Sequence, residues 1–193
     1  MIVGKTGDSQ RSRENGRAAA RFPAVVAAWP EPVQRVSSYL RDAGAEARIE
    51  EFAAGTPTAE AAAAAVGCEL DQIVKSLVLM CGGRPVMALV PGDRRGDPDK
   101  VARAVGADHA RVAKAEEVTR ATGFEPGGVA PFPLPAIPDV LLERTLLRHH
   151  LVWVGAGSPK HMAGLAPAEL ARVARAKPAD VVTDYHSTTH KES

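Results

Sequence analysis

Ile73-Val74-Lys75-Ser76-Leu77-Val78-Leu79-Met80 is the strongest β signal in the chain, and a second run, Pro85-Val86-Met87-Ala88-Leu89-Val90, follows it closely. Between them lies Cys81-Gly82-Gly83-Arg84. Two short aliphatic and β-branched runs around a glycine pair read as a β-hairpin. Both faces of the first run are apolar apart from Lys75 and Ser76. Alternation puts Lys75 on the same face as Ile73, Leu77 and Leu79. An unpaired buried charge is costly, so this ammonium must reach solvent, pair with an acid or face a cavity. Two readings follow: a strand-end lysine reaching water, or a cation on a pocket wall aimed at an anionic or carbonyl group.

On the N-terminal side of the hairpin, Val33, Val36 and Leu40 recur at helical spacing, and Gly44 is a helix stop. Ala47 to Phe52 alternates as a strand. Thr56 is the expected N-cap of a helix with Pro57 in its first turn, running through the alanines to Gly67. On the C-terminal side, Asp97 to Val105 and Lys114 to Ala121 read as short helices ending at Gly106 and Gly123. A Gly/Pro-rich loop spans Gly123 to Pro138. Asp139 reads as the N-cap of a helix over Val140 to Leu147, Leu151 to Val154 as a strand, and Pro167 to Arg175 as a last amphipathic helix. Strands and helices mix without a regular βαβ rhythm, which gives an α+β fold with a mixed sheet. Residues 1–30 are rich in Arg, Gly, Ser and Ala without a period and are expected to be a disordered leader. The domain is expected over 31–182, with a loose polar tail over 183–193.

The whole composition is that of an ordinary globular protein: 193 residues, 45% hydrophobic, 24% charged, with a net charge of +1. That charge argues against a protein wrapping long DNA duplexes, which carries a basic excess, yet allows a small local basic patch. The two cysteines, Cys68 and Cys81, form no disulfide framework and lack partners for a zinc site. No apolar run approaches the ~20 residues that span a bilayer, and no secretory h-region precedes a cleavage site. A reducing cytoplasm is the expected compartment.

Candidate chemistry beyond Lys75 sits in two small-residue segments. In Gly127-Gly128-Val129-Ala130-Pro131 the glycines permit positive φ and close approach of a ligand to main-chain N–H groups, although such loops also serve as plain connections. Gly155-Ala156-Gly157, at a strand exit, suits the floor of a cleft and equally a turn. Neither nucleotide-binding glycine fingerprint occurs. His149 and His150 are adjacent and point apart, and His161 reads as a surface residue. No metal set or nucleophile–base set is visible from spacing.

Taken together, these segments resemble the YbaK-like aminoacyl-tRNA editing domain, the module inserted in many bacterial prolyl-tRNA synthetases. The resemblance runs from about Val33 to Val182. It is carried by the Lys75-Ser76 strand, by Gly127 to Pro131 as the family's G-x-x-x-P loop, by Val152 to Gly157 with Leu165 to Leu170, and by Ala176 to Val181. Ala130 stands where members often have Ser, and Pro133-Leu134-Pro135 where they often have glycine and basic residues. The resemblance implies a single α+β domain whose mixed, partly barrel-like sheet is flanked by helices. It also implies hydrolysis of a mischarged tRNA's ester, with Cys, Ala or Ser on tRNA for proline as candidate substrates, and neither metal nor organic cofactor. Lys75 takes the catalytic place; Ser76, Gly127, Gly128, Val129, Ala130, Pro131, Asp139, Gly155 and Gly157 take substrate-binding places. The partners implied are the tRNA acceptor end and an aminoacyl-tRNA synthetase, with no DNA and no membrane. A non-catalytic binder of aminoacyl-tRNA or a nucleotide-like ligand is the alternative on the same fold.

Overall fold

Among the described residues, five α-helices and eight strands follow one another in the order α1 (Glu31–Asp42), β1 (Ala47–Glu51), α2 (Ala59–Val66), β2 (Ile73–Cys81), β3 (Arg84–Pro91), α3 (Pro98–Ala104), β4 (Ala110–Val112), α4 (Ala115–Thr122), β5 (Asp139–Glu143), β6 (Val152–Gly155), β7 (His161–Leu165), α5 (Pro167–Val173) and β8 (Lys177–Ala179). This is a computed structural model, and it describes residues 29–184 apart from 53, 54 and 57. The leader expected over 1–30 therefore falls almost wholly outside the described residues, as does the tail from 185 onward.

Among the described residues there is one mixed sheet, in the order β1-β7-β6-β2-β3-β5-β8, with β4 also on β2. The central hairpin is as its sequence reads: β2 and β3 pair antiparallel from Val74↔Pro91 to Cys81↔Arg84. Gly82 and Gly83 both have positive φ, 54° and 84°, which a two-residue hairpin turn of the primed type requires. Pro85 and Pro91 stand in this buried strand without breaking it because they oppose Met80 and Val74, positions where the antiparallel ladder asks for no N–H.

Each face of the sheet is covered. Val74 and Val78 join Val36 and Leu40 of α1 and Leu170 and Val173 of α5 in the main core. Leu79, Val86, Ala88 and Val90 meet Val101 of α3 on the other face. On that same face Ile73, Trp153 and Met162 pack against Ala62 and Ala63 of α2. The charge of Lys75 lies between these last two clusters.

Three local expectations are corrected. Asp139 caps no helix and opens β5, with Val140 to Leu142 buried. This strand is parallel to β3 and covered on both faces, so its unbroken apolar run carries no period that separates strand from helix. Only Arg144–Arg148 turns helically, as a 3₁₀ segment. The N-cap of α2 is Thr58, whose side chain accepts the Ala61 N–H. The Thr56 hydroxyl instead donates to the Pro159 carbonyl at 3.1 Å.

Candidate active site

The strand β2 has one edge that no single neighbour covers. β6 runs parallel to it only at Ile73 and Val74, and β4 joins only from Leu79 to Cys81. Between those contacts the sheet forks. At the fork lies a cleft of about 440 Å³. Ile73 to Ser76 form one wall, Thr56, Thr58, Ala59 and Ala62 at and before the start of α2 a second, and Gly127, Val129, Gly155, His161 and Met162 the rest. Because the strand edge is open here, the cleft touches Lys75 and Ser76 together, although their side chains lie on opposite faces.

Lys75 is half-buried. Its Nζ donates to the Gly92 carbonyl at 3.0 Å and to the Arg94 carbonyl, pinning the turn that follows β3. Burial pushes its pKa below the ordinary lysine value, while Asp93 and Glu60 favour the charge and Arg95 opposes it. Its neighbour Ser76 has a buried Oγ with no hydrogen-bond partner among the described residues.

The glycines divide by role. Gly127, at φ 91°, lines the cleft. A Cβ on Gly128 would sit 2.6 Å from the Ser158 Cα, and one on Gly155 would sit 2.7 Å from the Val129 carbonyl oxygen. The Gly157 N–H donates to the Gly128 carbonyl at 3.0 Å. These glycines press the loop of 127–131 against the turn after β6, main chain on main chain, and that packing builds the corner of the cleft. Ala130 is buried. Pro131 faces a separate cavity of about 500 Å³ beside Tyr39, Phe132 and Val173. Asp139 is not on the cleft wall; it pairs with Arg84 at 3.5 Å and Lys177 at 3.7 Å near the other end of the sheet.

Sequence reading missed His161. It is 2% exposed and opens β7 on the cleft wall, whereas spacing suggested a surface residue. Its Nδ1 lies 2.6 Å from the Ser158 Oγ, which already accepts the Lys160 N–H at 3.2 Å. The economical assignment has the Ser158 hydroxyl donating to Nδ1, leaving the hydrogen of the neutral ring on Nε2. That nitrogen has no hydrogen-bond partner among the described residues, with the Glu51 carboxylate 3.8 Å away and the Trp29 ring set edge-on at 5.6 Å. Burial lowers the pKa of His161; Glu51 opposes the shift and Lys160 adds to it. The only advance signal was a Ser three residues before a His at a strand start, which is too common to single out. Among the described residues, no group of three or more His, Cys, Asp or Glu is placed to hold a metal ion, and no helix is long and apolar enough to cross a membrane.

The family model of the aminoacyl-tRNA editing domain matches residues 53–173. The chain is similar to YwhH of Bacillus subtilis (strain 168), an uncharacterised protein, at 33% identity over 146 residues, covering 75% of this chain and 92% of that protein. It is also similar to the proline–tRNA ligase of Stenotrophomonas maltophilia (strain K279a), at 31% identity over 152 residues, 76% of this chain and 25% of the ligase. Among solved structures, a candidate trans-editing enzyme for prolyl-tRNA synthetase superposes with a TM-score of 0.75 at 36% identity, covering 81% of this chain and 99% of that one.

Proposed function

The chain belongs to the aminoacyl-tRNA editing domain family, and from that premise we propose that it is a trans-acting deacylase of mischarged tRNA. Its substrate is a small amino acid such as Cys, Ala or Ser esterified to the terminal ribose, with tRNA for proline as the carrier. One observation supports this above the others: Lys75, Ser76, Gly127 and Gly155 are distant in sequence and share one cleft.

The chemistry follows from what the cleft offers. The Lys75 ammonium and the hydroxyl of Ser76 supply positive charge and a donor to the ester and the terminal nucleotide. His161 is a poor general base, since burial lowers its basicity, Ser158 occupies its Nδ1 and its Nε2 carries the hydrogen of the neutral ring. The attacking water is therefore deprotonated with help from a ribose hydroxyl of the substrate, and the protein contributes position and electrostatics. The walls Ala59, Ala62, Ile73 and Met162 leave a mainly apolar space that ranks small side chains weakly, because one methylene is worth only ~1–3 kcal/mol. The acceptor end of the tRNA is the macromolecular partner, and a prolyl-tRNA synthetase is the enzyme whose errors such a protein corrects.

A panel of mischarged tRNAs incubated with the purified protein tests this. Release of free amino acid from one or more of them is the expected result. Binding without release would establish a non-catalytic module, and inertness toward every tRNA would remove the family activity from this chain.

A further inference from the structure

We infer that the main-chain N–H of Ser76 is the donor that receives the carbonyl oxygen of the scissile ester, an assignment that rests on the deacylase reading. Its direction can be worked out from two hydrogen bonds. The Gly92 N–H donates to the Ile73 carbonyl, so the odd-numbered residues of β2 turn their main-chain groups toward β3. The Ala113 N–H donates to the Val78 carbonyl, so the even-numbered residues turn theirs toward the opposite edge. The two prolines of β3 agree, since both oppose even-numbered residues. Val74 is taken up by β6 and Met80 by β4. Ser76 and Val78 are the even-numbered residues between the last β6 pair and the first β4 pair; the Val78 carbonyl already accepts the Ala113 N–H, and Ser76 is the one of the two on the cleft wall. Its N–H therefore points into the gap where the cleft lies; its Oγ is buried and has no hydrogen-bond partner among the described residues.

The donor is rigid without being used. Lys75 and Leu77, on either side, are held to Val90 and Ala88 of β3, so Ser76 cannot swing to meet a charge and does not need to. A fixed, unpaired N–H in a recess is the arrangement that stabilises a developing oxyanion at no cost of reorganisation. In the step proposed, a water oxygen bonds to the ester carbon and the carbonyl π pair moves onto the carbonyl oxygen, which takes the Ser76 N–H hydrogen bond. Collapse restores the carbonyl and breaks the bond to the ribose oxygen. The proton lost by the water reaches that ribose oxygen through the adjacent ribose hydroxyl. The products are the free amino acid and tRNA with its terminal hydroxyls restored.

The test replaces the Lys75–Ser76 peptide bond by an ester, installing the α-hydroxy acid of serine at 76. This deletes one N–H and keeps the side chain; the Lys75 carbonyl stays opposite Val90 of β3 as a weaker ester acceptor, and the N–H removed is in no ladder. Expected is a fall of about 100-fold or more in kcat with KM little changed, and a smaller loss for Ser76→Ala, which retains the N–H. Amide exchange gives a second readout: Ser76 should exchange faster than Val74, and slow on binding an aminoacyl-adenosine analogue with an amide in place of the ester. Full activity in the ester variant, or no change in Ser76 exchange on binding the analogue, overturns the assignment alone. A wild-type protein inert to every mischarged tRNA overturns the deacylase reading and this assignment with it.

Discussion

Two side chains in the cleft carry ionisable groups under opposing demands, and each can be interrogated singly. Lys75 keeps its charge by donating to two main-chain carbonyls, yet its pKa is depressed, so the site costs the charge more than it returns. Folded-state depression means that this cost is present at neutral pH and is relieved as pH rises through the lowered pKa. Lys75→Met is therefore expected to fold with an undiminished Tm and to lose deacylation, measured on one accepted tRNA. An active Lys75→Met protein would take Lys75 out of the mechanism. His161 is depressed too. Above the ordinary histidine value of about 6.5, folded and unfolded chains are both neutral there. Below it the unfolded chain takes up the proton first, so stability drains as pH falls through the folded pKa. His161→Gln should flatten the loss of Tm between pH 7.5 and 5.5, a window named from that ordinary value. Lys75 could be found from sequence because a charge in an apolar strand breaks its pattern. His161 could not, because burial of a histidine leaves no periodic trace.

Elements meet in this protein through glycines that the sequence shows and whose reason it hides. Gly128 looked like an opening for a ligand, whereas main chain of Ser158 fills the space beside it; Gly155, read as a cleft floor or a turn, lines the cleft and packs on main chain of Gly128 and Val129. Gly128→Ala should destabilise by about 3 kcal/mol, since its Cβ would collide with main chain that cannot yield as a side-chain tip would. Gly82→Ala, with nothing within 4 Å of the new Cβ and a φ of +54°, should cost about 1–2 kcal/mol from backbone strain alone. Denaturant midpoints of the two variants measure the difference, and equal losses would contradict the close packing. The hairpin of β2 and β3 was readable because turn chemistry and run length agree. β5 was not, because a strand buried on both faces and a buried helical segment share one apolar run.

Across the whole molecule, the α+β class and the mixed sheet were legible from the alternation of element types, but the strand order was not. The pairing of β1 with β7 joins segments from opposite halves of the chain, and no local pattern encodes it. Surface charge behaves similarly. Two basic residues that follow the hairpin are neutralised by acids: Lys100 binds Asp180 and Asp184, and Arg111 binds Glu117, whose pKa falls to about 2 under that guanidinium. Arg95 and Lys160, both exposed and charged neighbours of Lys75 and His161, are better placed to meet phosphates. Lys160→Glu should weaken tRNA binding and lower the salt slope by about 1 or more, while Arg111→Ala should leave both unchanged. Binding indifferent to salt would contradict any phosphate contact. The fork in the sheet also sets a timetable. The β2–β3 hairpin closes over a two-glycine turn, an event of about 1–10 μs for such elements, whereas β6 must return from the far half of the chain to lie parallel beside β2. Closure over long loops is slow because its entropy is lost before any contact rewards it. A refolding chain should thus protect the amides of the hairpin early and acquire affinity for the aminoacyl-adenosine analogue only in its last phase. Nascent protein emerging from a ribosome would be inert toward tRNA until β6 and β7 have been synthesised.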